Sequence, residues 1–231
     1  MTKFMLFTGI LSLAACATDG AQSPTSAPAQ PVASYVSRTG TTIEMYAEGD
    51  AAFSVAERGD PAHAQPAIAG DDAKTLSPTQ LYLESASDQV VPQAIADLTA
   101  ELVAAGRTFP AATPPHRIAP AVFDGCEASS FSATWCHLDD GDPITWCLLG
   151  ETAGLEKHLS SLSSTEAAIC IKSGKADYHV TNEAGGDHEW TLSAGGFIKY
   201  SFNSAIFSYN WVHYDISGVT GTYQFAGEAD D

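Results

Sequence analysis

Residues 197–203, FIKYSFN, and 205–216, AIFSYNWVHYDI, decide the fold. Both runs are rich in aromatic and β-branched side chains, which favour extended backbone over helix. In the second run, side chains of a strand alternate between two faces. Phe207, Tyr209, Trp211, His213 and Asp215 fall on one face, and Ser208, Asn210, Val212 and Tyr214 on the other. The first of these faces presents aromatic rings flanked by polar groups.

Working outward, residues 167–172, 177–181, 188–193 and 222–226 are also strand-like. Ser173-Gly174-Lys175, Gly185-Gly186, Gly195-Gly196 and residues 218–221 punctuate them as turns. Short strands with regular turns predict an antiparallel β sandwich or barrel-like section. Further upstream, residues 130–138 and 144–149 frame Asp139-Asp140-Gly141-Asp142-Pro143, which reads as a hairpin with turn chemistry at its tip. Its arms repeat Thr134-Trp135-Cys136 as Thr145-Trp146-Cys147. Leu155, Leu159 and Leu162 recur at helical spacing and predict a brief helix.

The first half of the chain is different. Residues 35–37, 42–47 and 52–56 form a predicted β-meander with turns at Arg38-Thr39-Gly40 and Glu48-Gly49-Asp50. Residues 60–72 have no periodicity and read as a loop. Ser77 before Pro78 is an N-cap signal that opens a helix to about Ala86. Pro92 starts a longer one, with Ile95, Leu98, Leu102 and Ala105 on a core-facing stripe and Gly106 ending it. Prolines at 110, 114, 115 and 120 mark a boundary. The expected class is therefore α+β, mainly β. A small α+β section at 35–108 and a Pro-rich linker at 109–125 precede a disulfide-linked, mainly β domain at 126–231.

The amino terminus sets the compartment. Lys3, an apolar run from Phe4 to Leu13 and then small residues follow the plan of a secretory signal, too short to span a bilayer. Leu13-Ala14-Ala15-Cys16 resembles the lipobox of bacterial lipoproteins. The resemblance covers the first 16 residues only. It implies cleavage after Ala15, diacylglycerol on the Cys16 thiol and acylation of the new amino terminus, with palmitate as a typical acyl chain. Ala17 follows where Asp would be the inner-membrane retention signal, so the resemblance implies the outer membrane, facing periplasm or cell surface. Several acyl chains anchor stably where one is marginal. Residues 16–34, with three prolines and no aromatic, read as a lipidated flexible tether.

In an oxidising envelope, Cys126, Cys136, Cys147 and Cys170 are expected to form two bridges. Three connectivities are possible, and Cys126–Cys136 with Cys147–Cys170 avoids bridging directly opposed residues on the hairpin. No Cys-x-x-Cys occurs, which removes zinc and redox-dithiol readings.

No catalytic motif stands out. His188-Glu189-Trp190-Thr191-Leu192 begins like a zinc helix but has Leu192 where a second histidine is needed. There is no Gly-x-Ser-x-Gly elbow and no phosphate loop. His116, His137, His158 and His179 are evenly spaced, but their flanks share nothing, so no repeat is inferred. Asp139, Asp140 and Asp142 could offer oxygen ligands to calcium, although turn geometry alone accounts for them. No cofactor is expected.

With 28 acidic against 10 basic side chains the formal net charge is -18, which argues against a nucleic-acid partner. The acidity is spread along the chain. Residues 16–125 carry 13 acidic and 5 basic side chains, and residues 126–231 carry 15 and 4. The reading is a non-catalytic binding module held at the envelope by its lipid. Tyr209, Trp211, His213 and Asp215 are the candidate binding surface for an envelope protein or carbohydrate. An envelope-associated or extracellular hydrolase using His179, His188, His213 and Asp215 is the second reading. An inhibitor or immunity-type protein is the third.

Overall fold

A computed structural model describes residues 29–60, 76–109, 146–161, 164–203 and 210–230. The elements run β1 (Ala33–Val36), β2 (Thr42–Ala47), β3 (Phe53–Gly59), α1 (Pro78–Ser85), α2 (Gln93–Ala104), β4 (Trp146–Glu151) and β5 (Leu155–Ser161). They continue with β6 (Ser164–Ser173), β7 (Lys175–Asn182), β8 (Asp187–Ser193), β9 (Phe197–Asn203), β10 (Asn210–Ser217) and β11 (Thr222–Asp230). Two antiparallel sheets result, one of seven strands in the order β1-β2-β3-β9-β6-β11-β4 and one of four, β5-β10-β7-β8. Among the described residues the chain is mainly β with two helices, in agreement with the α+β expectation.

The sheets face one another because their strands alternate. On β7, Ala176, Tyr178, Val180 and Asn182 are buried while their neighbours reach solvent, and on β8 His188, Trp190 and Leu192 do the same. Of these, Ala176, Tyr178, Val180, Trp190 and Leu192 join Ile169, Ile171, Ile198, Tyr200, Phe202, Val212, Tyr214, Ile216, Tyr223 and Phe225 in one apolar cluster. A second cluster lies on the opposite side of the seven-stranded sheet. There Ile43, Met45, Phe53 and Val55 of β2 and β3 pack on Leu81 and Tyr82 of α1 and Ile95, Leu98 and Leu102 of α2. The small sheet, the large sheet and the helix pair thus form three layers.

Local signals explain the helices. The Ser77 side chain accepts the Gln80 N–H while the Gln80 side chain accepts the Ser77 N–H, a complete capping box ahead of Pro78. Helix α2 has no side-chain cap; it is held by its apolar stripe and ends where Gly106 takes φ +99°. Just beyond, Arg107 lies over the rings of Phe53 and Phe109 at 5.2 and 5.0 Å and donates to Asn203 of β9. Burial lowers its pKa to about 10.

Several expectations change. Leu155 and Leu159 do not lie on a helix. Residues Leu155–Ser161 pair along β10, with Leu155 opposite Ile216 and Leu159 opposite Val212. A spacing of four satisfies one strand face as well as a helix face, and cross-strand pairing decides between them. The meander at 35–58 also does not stand apart, since β3 pairs along its whole length with β9. The tether is shorter than the composition suggests. The Ala29 N–H donates to the Asp187 carbonyl and that of Val32 to the Met45 carbonyl, before β1 begins at Ala33.

The registers also separate Cys147 from Cys170. Cys147 is opposite Ala226 and Cys170 opposite Gln224, on the two sides of β11. Two ladder spacings are roughly 10 Å, beyond the roughly 7 Å limit between Cα atoms of a disulfide. Those registers do not bring the expected Cys147–Cys170 pair within bridging distance. Of the hairpin at 130–149, only the second arm lies among the described residues, as β4. Cys16, Cys126, Cys136, Asp139, Asp140, Asp142 and Tyr209 lie outside them.

Candidate functional site

The outer face of the four-stranded sheet brings the sequence candidates together. On β10, Val212, Tyr214 and Ile216 point into the core, so Trp211, His213 and Asp215 point outward, each half-buried. Pairing with β5 sets Trp211 opposite Ser160, His213 opposite His158 and Asp215 opposite Glu156. Pairing with β7 sets His213 opposite Thr181 and Asp215 opposite His179. Pairing with β8 then adds Asp187 opposite Thr181 and Glu189 opposite His179. Two rows result, His158–His213–Thr181–Asp187 and Glu156–Asp215–His179–Glu189.

Contacts within this lattice run along diagonals. The His158 ring stacks on Trp211 at 5.4 Å and 21° and meets His213 edge-on at 6.1 Å. His213 Nε2 lies 3.3 Å from Glu156 Oε1, and His179 Nε2 lies 2.8 Å from Asp187 Oδ1. One row lower, Thr191 Oγ1 donates to Asp177 Oδ1 at 2.7 Å. At the end of β7, partial burial raises the Glu183 carboxyl pKa, Asp50 adds to the rise and a backbone hydrogen bond from Trp211 opposes it. His158, Glu156 and His179 were not read as a group in the sequence. Alternation along 155–161 would have placed the first two outward, had that segment been read as a strand.

His188 does not belong to this face. Its Nε2 lies 2.8 Å from Glu48 Oε1, with the two side chains 1% and 3% exposed. Ser54 Oγ donates to the same Glu48 oxygen. Tyr46, Tyr200 and Trp190 surround the imidazole at 4.3, 5.4 and 5.8 Å. His188 Nδ1 is buried and has no hydrogen-bond partner among the described residues. Beside it, Glu44 accepts from Arg58, Tyr46 and Trp190; burial first, and then Glu44, push the Tyr46 pKa up. This pair joins the β2–β3 turn to β8. Both of its side chains are buried.

The three histidines thought able to serve a hydrolase are thus divided between two sides of a sheet. Their polar side-chain partners among the described residues are carboxylates, with no hydroxyl or thiol to activate. No group of three His, Cys, Asp or Glu side chains among the described residues is arranged to hold a metal ion. No described helix is long and apolar enough to cross a membrane. No family model, curated protein or solved structure matches the chain.

Proposed function

We propose that the protein is a lipid-anchored, non-catalytic binding module of the bacterial envelope, whose docking surface is the outer face of the four-stranded sheet. The single observation that carries this reading is the outward placement of Trp211, stacked on His158, among imidazoles and carboxylates of an antiparallel sheet face. Large rings with polar neighbours are the usual anchors of recognition surfaces. The lipobox-like Leu13-Ala14-Ala15-Cys16 supplies the anchor, and Ala17 the outer-membrane destination. Two disulfides complete the exported body. Cys170 is disulfide-bonded, and the strand registers, which hold Cys147 away from it, support Cys126 or Cys136 as its partner.

The test is photo-crosslinking in the native host, with the full-length lipidated protein carrying a photoreactive residue at Thr181, in the middle of the face. A discrete adduct is expected there, absent when Trp211 is changed to Ala. The same probe at the exposed Val103 of α2 should give none. Equal labelling from both positions, or an adduct indifferent to Trp211→Ala, would refute the reading.

A further inference from the structure

The charges on the docking face are not balanced within the face. Outward-facing positions of its strands carry Glu156, Asp177, Asp187, Glu189 and Asp215 against a single lysine, Lys175; Lys157 of β5 stands opposite the core residue Tyr214, on the other side of the sheet. Asp187 is taken up by His179 and Glu156 by His213, while Asp177 accepts from Thr191. Asp215 and Glu189 have no polar partner among the described side chains. Asp215 stands directly opposite Glu156 on one side and, through His179, in line with Glu189 on the other. Directly opposed like charges on neighbouring strands destabilise a sheet. No described cation relieves this pair, because Lys175 stands four positions along β7 from His179, the residue opposite Asp215. A short distance up the same strand, the Trp211 ring offers a π face suited to a guanidinium.

Resting on the binding-module reading, we propose that the partner of this face is a basic protein segment. An arginine or lysine side chain docks at Asp215, between Glu156 and Glu189, and a neighbouring guanidinium packs on the Trp211–His158 stack. The unrelieved Glu156–Asp215 opposition is then a feature of the free protein that the partner's charge removes. Planar, bidentate contacts favour arginine over lysine at such a carboxylate pair.

A short acetylated oligoarginine peptide serves as the probe, titrated against the purified lipidated protein in neutral detergent at low and moderate salt. The double variant Asp215→Asn/Glu189→Gln should weaken binding by about fivefold or more, the scale of losing exposed charge pairs, without lowering the melting temperature. A control with the same change of net charge, Asp97→Asn/Glu101→Gln on the exposed side of α2, should leave binding within about twofold, since it lies outside the contact. Equal weakening by both variants would mean that the peptide senses only the overall charge of -18, and would overturn the proposal. So would binding that is indifferent to Asp215→Asn/Glu189→Gln. A neutral oligosaccharide that binds in a Trp211-dependent, Asp215-independent manner would also overturn it, while leaving the binding-module reading intact.

Discussion

The buried Glu48–His188 pair shows how one residue fixes the meeting of two sheets. Glu48 comes from the turn between β2 and β3, and His188 from the start of β8, 140 positions later. Removing Glu48 takes away the carboxylate that His188 Nε2 meets, and removing His188 leaves the buried Glu48 with Ser54, so His188→Ala or Glu48→Ala should cost about 3 kcal/mol, read from urea unfolding. Gly186 guards the same pair. A Cβ added there would stand 2.6 Å from Glu48 Oε2 and 2.2 Å from Asn182 Nδ2, so Gly186→Ala should cost about 1–3 kcal/mol by overpacking. At Asp215 the sign reverses. Asp215→Asn removes an opposed like charge and should raise stability by about 0.2–1 kcal/mol, seen as an upward shift in thermal midpoint. A lower midpoint would mean that Asp215 has a structural partner. His188 was the residue least legible from sequence. Its motif neighbours suggested ligand chemistry, whereas simple alternation with Trp190 and Leu192 places it in the core, and nothing local to it announces Glu48.

At the scale of elements, what was legible was what local chemistry decides. The stretch Phe197–Asn203 and both helices stand where their aromatic content, caps and apolar stripe put them. Ser77→Ala should therefore destabilise by about 1 kcal/mol, measurable as a lowered urea midpoint. What was not legible depended on partners distant in sequence. Leu155–Ser161 has leucines at a spacing open to two periods, and β10, more than fifty residues later, settles the choice. The docking face shared this fate. Trp211, His213 and Asp215 could be assigned to one side from alternation alone, but His158 and Glu156 join them only through the β5–β10 register, and His179 only through β7–β10.

For the whole molecule, the sequence separates two sections at a proline-rich boundary, yet β3–β9 pairing makes the strands of the first section three of the seven in a single sheet. Composition changes mark where the chain is punctuated; they carry no information about which strands meet. Even acidity along the chain likewise hid an uneven distribution in space, because strands from 155–161, 175–182, 187–193 and 210–217 bring their carboxylates to one face. Two experiments bear on the molecule's place and covalent state. Cys16→Ser should abolish incorporation of radiolabelled palmitate and leave the protein soluble after a high-salt wash. Peptide mapping of the unreduced mature protein should find Cys170 joined to Cys126 or Cys136, and no free thiol other than the acylated one.

The hydrogen bond from Ala29 to Asp187 ties the chain's entry to the rim of the small sheet. Under the proposed anchor, the stretch of chain between Cys16 and Ala29 can span no more than about 45 Å. Every pull between membrane and captured partner then passes through Ala29 into β8, and through Val32 into β2. Those two strands also carry His188 and Glu44, so the polar seam between the sheets lies on the mechanical load path. Tension on the lipid reaches that seam together with the edges of the two hydrophobic cores, on which Ala29 and Ala33 pack. The same side chains that join the layers thereby set how much force the anchored protein bears before β1, the edge strand, peels away.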